Sequence, residues 1–413
     1  MSQGPATPPS SSRPPSGQGP LAHAPFLHAP EASRNIFLTT FAAACLPLGA
    51  GVFFFGWRAL VVAGLSIGGC VAVESAYYRL TRTPALMGRT HAALTGLLLA
   101  LTLPAFVPLY VPLVGAVFAI LVGKALFGGV GHFLWQPALV GRLAVTVIFP
   151  TAVAASSWPV LTPSYPIYGD VTDSVPVEQH RRWVDWRTDE ASALRQPRPS
   201  DLLRQLTLPQ AGQNAAIAPS QVTDVDAAPP PEEASRPGPI ASTLALLPPA
   251  QDILMGAHGG GIGETCTLGI LVVGLYLVYR NYVHGVLPGL MILSAAVVAA
   301  VGPVRTEAGG WQWLPIVAED VDVGFAYVSM QLAAGELMLA AWFLATEMTS
   351  RPVTPPGQAI FGLLCGALAM GLQSYTDLPI PAYTAVLACN TLTPLLDGIR
   401  PRVFGRRRWW RRG

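Results

Sequence analysis

Seven ionisable residues lie in stretches of chain that are otherwise apolar: Glu74, Lys124, Arg142, Glu264, Glu336, Glu347 and Asp397. A charge in such a setting is costly, and it persists where it is paired, faces a cavity, or carries protons or ions. Two glycine runs lie beside these charges. "HGGGIGETCTLGILVVG" (258–274) places four glycines in six residues next to Glu264. "GKALFGGVGHFLWQPALVGR" (123–142) sets Gly128, Gly129 and Gly131 between Lys124 and Arg142. Glycine allows close approach of another backbone, and a helix start exposes N–H groups that can meet an anion or a cofactor. A soluble phosphate loop is excluded, because "GGGIGET" has no Gly-Lys-Ser/Thr and no strand before it. Backbone packing and an anion or cofactor site both remain open. Glu264, Glu347 and Asp397 stand near segment ends, where capping and function are equally open, whereas Glu336 is deeper and suits an ion path or an interhelical partner.

The elements that must hold these residues are membrane helices. The chain has 413 residues, 51% hydrophobic and 12% charged, about half the charge of an ordinary soluble protein. Its net charge of +2 is small, and no basic-aromatic face points to nucleic acid. The five cysteines stand singly, without a CxxC pair, so a zinc site or thiolate cluster from this chain alone is not expected, and they read as small buried hydrophobes. A span needs about 20 apolar residues. Segments near 36–55, 59–78, 91–107, 108–126 and 138–157 fit in a first half (36–157). Those near 265–279, 284–303, 323–346, 357–374 and 381–397 fit in a second (257–399). The expectation is an all-α polytopic membrane protein with about ten transmembrane helices.

Three other segments complete the chain. Residues 1–35 are a Pro-rich tail without the apolar core of a signal peptide, expected to be disordered. Residues 158–256 carry seven Arg against twelve Asp plus Glu, and read as a mostly extended excursion with little core of its own. Residues 400–413 are a basic tail.

Short loops orient the spans through their Arg content. Arg79, Arg82 and Arg89, then Arg280, then Arg351, and seven arginines in "RPRVFGRRRWWRRG" fall on one side. Glu307, Glu319, Asp320 and Asp322 fall on the other, with Arg58 as the exception. Both termini are thus expected in the cytoplasm and 158–256 outside. Five spans per half would invert a duplicated unit, the architecture of many transporters. Faint likenesses of 91–104 to 357–370 and of 135–142 to 390–398 point the same way.

Four stretches carry a family resemblance: "GKALFGGVGHFLWQPALVGRLAVTVIFP", "GGGIGETCTLGILVVGLYLVYRNYVHGVLPG", "LMLAAWFLATEMTSRPVTPPGQAIFGLLCGAL" and "YTAVLACNTLTPLLDGIRPRVFG". In order and spacing, over roughly 36–405, they resemble one family of respiratory-complex proteins. It unites the D-type membrane subunits of Rnf electron transport complexes with the B-type subunits of Na⁺-translocating NADH:quinone reductases (Nqr). "LYLVYRNYVHGVLP" and "IRPRVFG" look nearer the Rnf type, whereas the length and extended N-terminus would suit the Nqr type, and both stay open. The resemblance implies two inverted five-helix repeats similar to urea transporters, in a cell inner membrane. It also implies a subunit that is not catalytic alone, passing electrons through flavin beside partner subunits and helping to couple that flow to Na⁺ or H⁺.

The family further implies FMN attached by a flavin transferase to Thr in an Asp-x-x-Ser/Thr-Gly-Ala-Thr pattern outside the membrane. The nearest fit is "DWRTDEASAL", which offers Ser192 as acceptor, with one extra residue after Asp185 and Glu190 where glycine belongs. A second, non-covalent flavin, riboflavin included, would sit near Gly128, Gly129, Gly131, Gly261 and Gly263. Lys124 would then hold its phosphate or ring oxygen, or else snorkel to the membrane edge. A small-solute channel and a structural subunit without covalent flavin stand as the other readings of this architecture.

Overall fold

A computed structural model describes residues 33–82, 90–129, 131–154, 198–208, 238–245, 247, 250–256, 258–305, 310–318 and 320–399. The first half forms α1 (Ser33–Phe55), α2 (Trp57–Thr81), α3 (Thr90–Thr102), α4 (Tyr110–Leu121), α5 (Pro137–Ile148) and α6 (Pro150–Ala154). Three short helices follow: α7 (Pro199–Arg204), α8 (Pro239–Ala245) and α9 (Ala250–Met255). The second half forms α10 (Thr267–Tyr279), α11 (Val286–Val301), α12 (Pro315–Ala318), α13 (Val321–Ala333) and α14 (Leu337–Leu339). It ends with α15 (Pro355–Tyr375), α16 (Pro381–Asn390) and α17 (Thr393–Asp397).

Several of these helices carry large apolar side chains on their exposed faces as well as in the core. Helix α2 buries Ala59, Val62, Ala63, Ser66, Cys70 and Glu74, while its Leu60 and the Val272, Leu293, Val297 and Phe325 of other helices are exposed. In lipid a leucine gains nothing by burial, so small residues take the helix contacts and let backbones approach. Gly366 of α15 shows the limit, since a Cβ there would collide with the Met291 carbonyl oxygen of α11. Of the cysteines, Cys70, Cys365 and Cys389 are buried as expected, but Cys45 is exposed on α1.

Helices long and apolar enough to cross a bilayer are Arg34–Phe55, Trp57–Thr81, Tyr110–Phe127 and Pro355–Tyr375. Val321–Ala333 and Leu337–Leu344 together pass as one span bent by 60°. After the bend, Ala340–Leu344 winds as a π-helix, with Ala345 N–H donating to the Ala340 carbonyl at 2.7 Å. The apolar helices α3, α5, α10 and α11 are shorter. At 1.5 Å per residue, the 13 residues of α3 cover about 20 Å of a roughly 30 Å hydrocarbon core. The chain is mostly helical and compatible with a polytopic membrane protein.

Packing repeats between the halves. Helix α2 lies on α4 and α4 on α5; in the same way α11 lies on α15 and α15 on α16. The halves meet where α1 contacts α10 and where α5 contacts α16.

Two expectations change. The fold is not wholly helical: Val304–Arg305 (β1) and Trp311–Gln312 (β2) pair antiparallel, Val304 opposite Gln312. Nor is the described part of 158–256 without packing. Leu203, Ile240 and Ile253 from α7, α8 and α9 join Tyr327 of α13 in a second apolar cluster, separate from the main core. Thr207 donates its hydroxyl to the Ser374 carbonyl, and Arg305 N–H donates to the Leu206 carbonyl at 2.9 Å. No periodic pattern announced this, because each short helix contributes only one or two apolar residues to a core supplied by α13.

Candidate functional site

The glycine run before α10 is a plug of backbone on backbone. Ile262 and Gly263 donate their N–H groups to the Leu103 and Leu101 carbonyls, each at 2.9 Å. These are acceptors left over at the end of α3 in the other half. A Cβ on Gly263 would stand 2.6 Å from Leu101, so only glycine allows the contact. Gly261 N–H donates to Glu264 Oε2 at 2.9 Å. Both Gly261 and Gly263 therefore direct their N–H groups at protein.

The first run is different. Gly128, Gly129 and Gly131 have φ of +100°, +100° and +91°, a left-handed backbone that side chains rarely adopt. They follow a single 3₁₀ turn, Ala125–Phe127, and end the inner run of α4. A Cβ on Gly131 would meet nothing within 4 Å. Helix resumes after Gln136, whose side chain caps α5 by accepting from Leu139 N–H at 2.6 Å, with Pro137 at the first helical position.

The two runs do not converge. Lys124, four residues before Gly128, touches His91 at one end of α3, while Gly263 docks on Leu101 at the other. Ten residues of helix separate them, about 15 Å. One pocket lined by both runs is not formed.

Lys124 instead anchors a buried chain of charge. Its ammonium is 2.5 Å from Glu74 Oε1 of α2 and 3.1 Å from His91 Nδ1 of α3. His91 Nε2 is 3.0 Å from Glu347 Oε1, which follows α14 in the second half. All four residues are buried, His91 and Lys124 at 0% and 2% exposure. Lys124 thus neither snorkels nor points a free ammonium at a ligand.

A second charged group surrounds the glycine plug. Glu264 accepts from Tyr383 Oη of α16 at 2.5 Å. Arg142 of α5 is buried within electrostatic reach of Glu264, Glu336 and Tyr383, and its Nε and Nη1 find no partner among the described residues. Glu336, at the bend between α13 and α14, pairs with Arg198 Nη1 at 3.8 Å, so it has its interhelical partner from the segment before α7. Burial works against the charge of Arg198, but Glu264, Asp201 and Glu336 outweigh it and its pKa is raised. Asp397 is a cap: its Oδ1 accepts from Val353 and Thr354 N–H at 2.7 and 3.4 Å, ahead of α15. Among the described residues no His, Cys, Asp and Glu group suits a metal ion.

The family model described as the NQR2, RnfD, RnfE family matches residues 21–405, nearly the whole chain. The chain belongs to this family. It is 31% identical to the D subunit of an ion-translocating oxidoreductase complex from Stutzerimonas stutzeri, over 88% of this chain and 90% of that one. The corresponding protein of Yersinia enterocolitica is also 31% identical, over 91% and 95%. The D subunit of a Na(+)-translocating ferredoxin:NAD(+) oxidoreductase complex from Acetobacterium woodii is 26% identical, over 88% of each.

Within this family member, Ser192 lies outside the described residues. His91, Tyr383 and Arg198 were not legible as partners of the sequence's buried charges. His91 and Tyr383 had a signal, a titratable ring in an apolar segment, but the charge pattern counts neither. Arg198 had none, being one Arg among several in a polar stretch.

Proposed function

We propose that this chain is the D-type membrane subunit of an ion-translocating oxidoreductase complex, working only beside partner subunits in a cell inner membrane. The observation that carries the reading is likeness along almost the entire length to proteins of that name. Reduced ferredoxin as donor and NAD⁺ as acceptor are the couple named for the Acetobacterium woodii relative, and Na⁺ or H⁺ is the coupled ion.

The finer architecture is ten spans in two inverted five-helix repeats, both termini in the cytoplasm and 158–256 outside. The repeated packing of second on fourth and fourth on fifth helix supports it. By that packing α15 is the counterpart of α4, so the faint likeness of 91–104 to 357–370 joins the wrong pair of helices.

A flavin supplies one- and two-electron transfer when bound. The covalent FMN is assigned to Ser192, whose hydroxyl could carry the phosphodiester made by a transferase, with Arg187 and Arg195 to offset Glu190. For a second, non-covalent flavin, or riboflavin, the open backbone at Gly128, Gly129 and Gly131 fits, whereas Lys124, Gly261 and Gly263 are engaged by protein. The test is co-expression with the transferase and flavin fluorescence of the denatured chain. Fluorescence lost in Ser192→Ala supports the assignment; fluorescence retained, or absent from the start, removes it. Purification with no partner subunits, together with solute flux through the isolated chain in liposomes, would overturn the complex-subunit reading.

A further inference from the structure

We propose that Glu74, Lys124, His91 and Glu347 form a proton relay from the first five-helix half to the second, with His91 as the transfer residue. The inference rests on the reading of this chain as an ion-translocating subunit. It begins with donors and acceptors. An ammonium has protons to give and no lone pair, so at 3.1 Å Lys124 can only donate to His91 Nδ1. Nδ1 is then the bare nitrogen, and the ring's proton is on Nε2, donated to Glu347 Oε1 at 3.0 Å. Two links run one way, from Lys124 through the ring to Glu347, while a second N–H of Lys124 is donated to Glu74 Oε1.

Among the described residues, the groups facing His91 leave no competing path. Thr95 Oγ1 is 3.5 Å from Nδ1 but gives its proton to the His91 carbonyl at 2.9 Å. Phe37 and Phe133 pack on the ring at 5.0 and 5.6 Å between centroids. Among the described residues, Cys70 and Tyr78 of α2 are titratable neighbours of this group. Thr349 donates to Glu347 Oε1 at 3.2 Å. At both ends of the chain of contacts one buried carboxylate oxygen, Glu74 Oε2 and Glu347 Oε2, has no partner among the described residues. These are the lone pairs where a proton would arrive and from which it would leave.

The step conserves protons. An N–H bond of Lys124 breaks as one forms at His91 Nδ1, and the Nε2–H bond breaks as an O–H forms at Glu347. Lys124 and Glu347 end neutral. A proton delivered through Glu74 recharges Lys124, and Glu347 releases its own. The ring then swings about both side-chain torsions so that Nδ1–H faces Glu347 and the bare Nε2 faces Lys124, ready to pass the next proton the same way.

The second half shows that tying helices together does not need charge. There Gln373 of α15 donates to Gln331 Oε1 of α13 at 2.9 Å, and Gln331 donates to Tyr327 Oη at 3.1 Å. The contact that crosses between the helices is made by two neutral amides.

His91→Gln separates a relay from a tie, since glutamine can accept from Lys124 and donate to Glu347 but cannot pass a proton on. The whole complex is placed in liposomes and driven by reduced ferredoxin and NAD⁺, with proton movement followed by an enclosed pH dye. The variant is expected to keep its thermal midpoint and its electron transfer in the presence of an ionophore, while coupled proton movement falls about tenfold or more. Wild-type proton movement in H91Q overturns the relay alone. Wild-type vesicles that move no ion overturn the coupling reading itself, and vesicles that move Na⁺ with no proton in either direction overturn the relay. Redox-difference infrared spectra of the wild-type complex give an independent reading. A carboxylic acid band that changes on reduction and is absent in Glu347→Gln is expected; its absence from wild type overturns the relay even if H91Q fails to assemble.

Discussion

Tyr383 and Glu264 are 119 residues apart in sequence, and the tyrosine hydroxyl donates to the carboxylate at 2.5 Å in a fully buried setting. With Gly261 N–H on the other oxygen, the contact fixes the glycine plug from a helix at the far end of the chain. Tyr383→Phe leaves Glu264 Oε1 buried without that donor, which costs about 1–3 kcal/mol. Thermal unfolding in detergent should show a lower midpoint for Tyr383→Phe and an unchanged one for Tyr276→Phe, whose ring is 48% exposed.

Gly263→Ala forces a methyl against Leu101 at 2.6–3.0 Å, while both loop-to-α3 hydrogen bonds hold the backbone in place. A loss of about 1–3 kcal/mol is expected from overpacking. Gly289→Ala, on an exposed face of α11 with nothing within 4 Å, is the matched control and should be neutral or slightly stabilising. Equal midpoints for the two variants would contradict the plug.

Arg198→Gln removes the charge facing Glu336 and loosens the hold on α7. Limited proteolysis should then cut near 198–208 faster than in wild type, with the membrane helices unaffected. Arg204→Gln should do less, because its two partners, Asp377 and Asp201, are 81% and 38% exposed and such pairs contribute about 0–1 kcal/mol.

Reporter domains fused after Pro163 and after Arg412 should report opposite sides of the membrane. The same side for both would remove the two-half topology with an external central segment.

Membrane class, segment positions and buried charges were all legible in the sequence, because apolar length and charge depletion are local properties. The spans near 36–55 and 357–374 appear as α1 and α15 within three residues at each end. Glu74, Lys124 and Glu347 stood out as charges in apolar surroundings, but their mutual contact did not, since 50 residues separate the first two and Glu347 comes from the other half. Only packing decides which donor meets which acceptor. The same holds for the glycines: composition announced both runs, yet the fold alone made one a plug on Leu101 and the other an open break. Sequence spacing could not tell them apart, because glycine permits a close approach without saying what approaches.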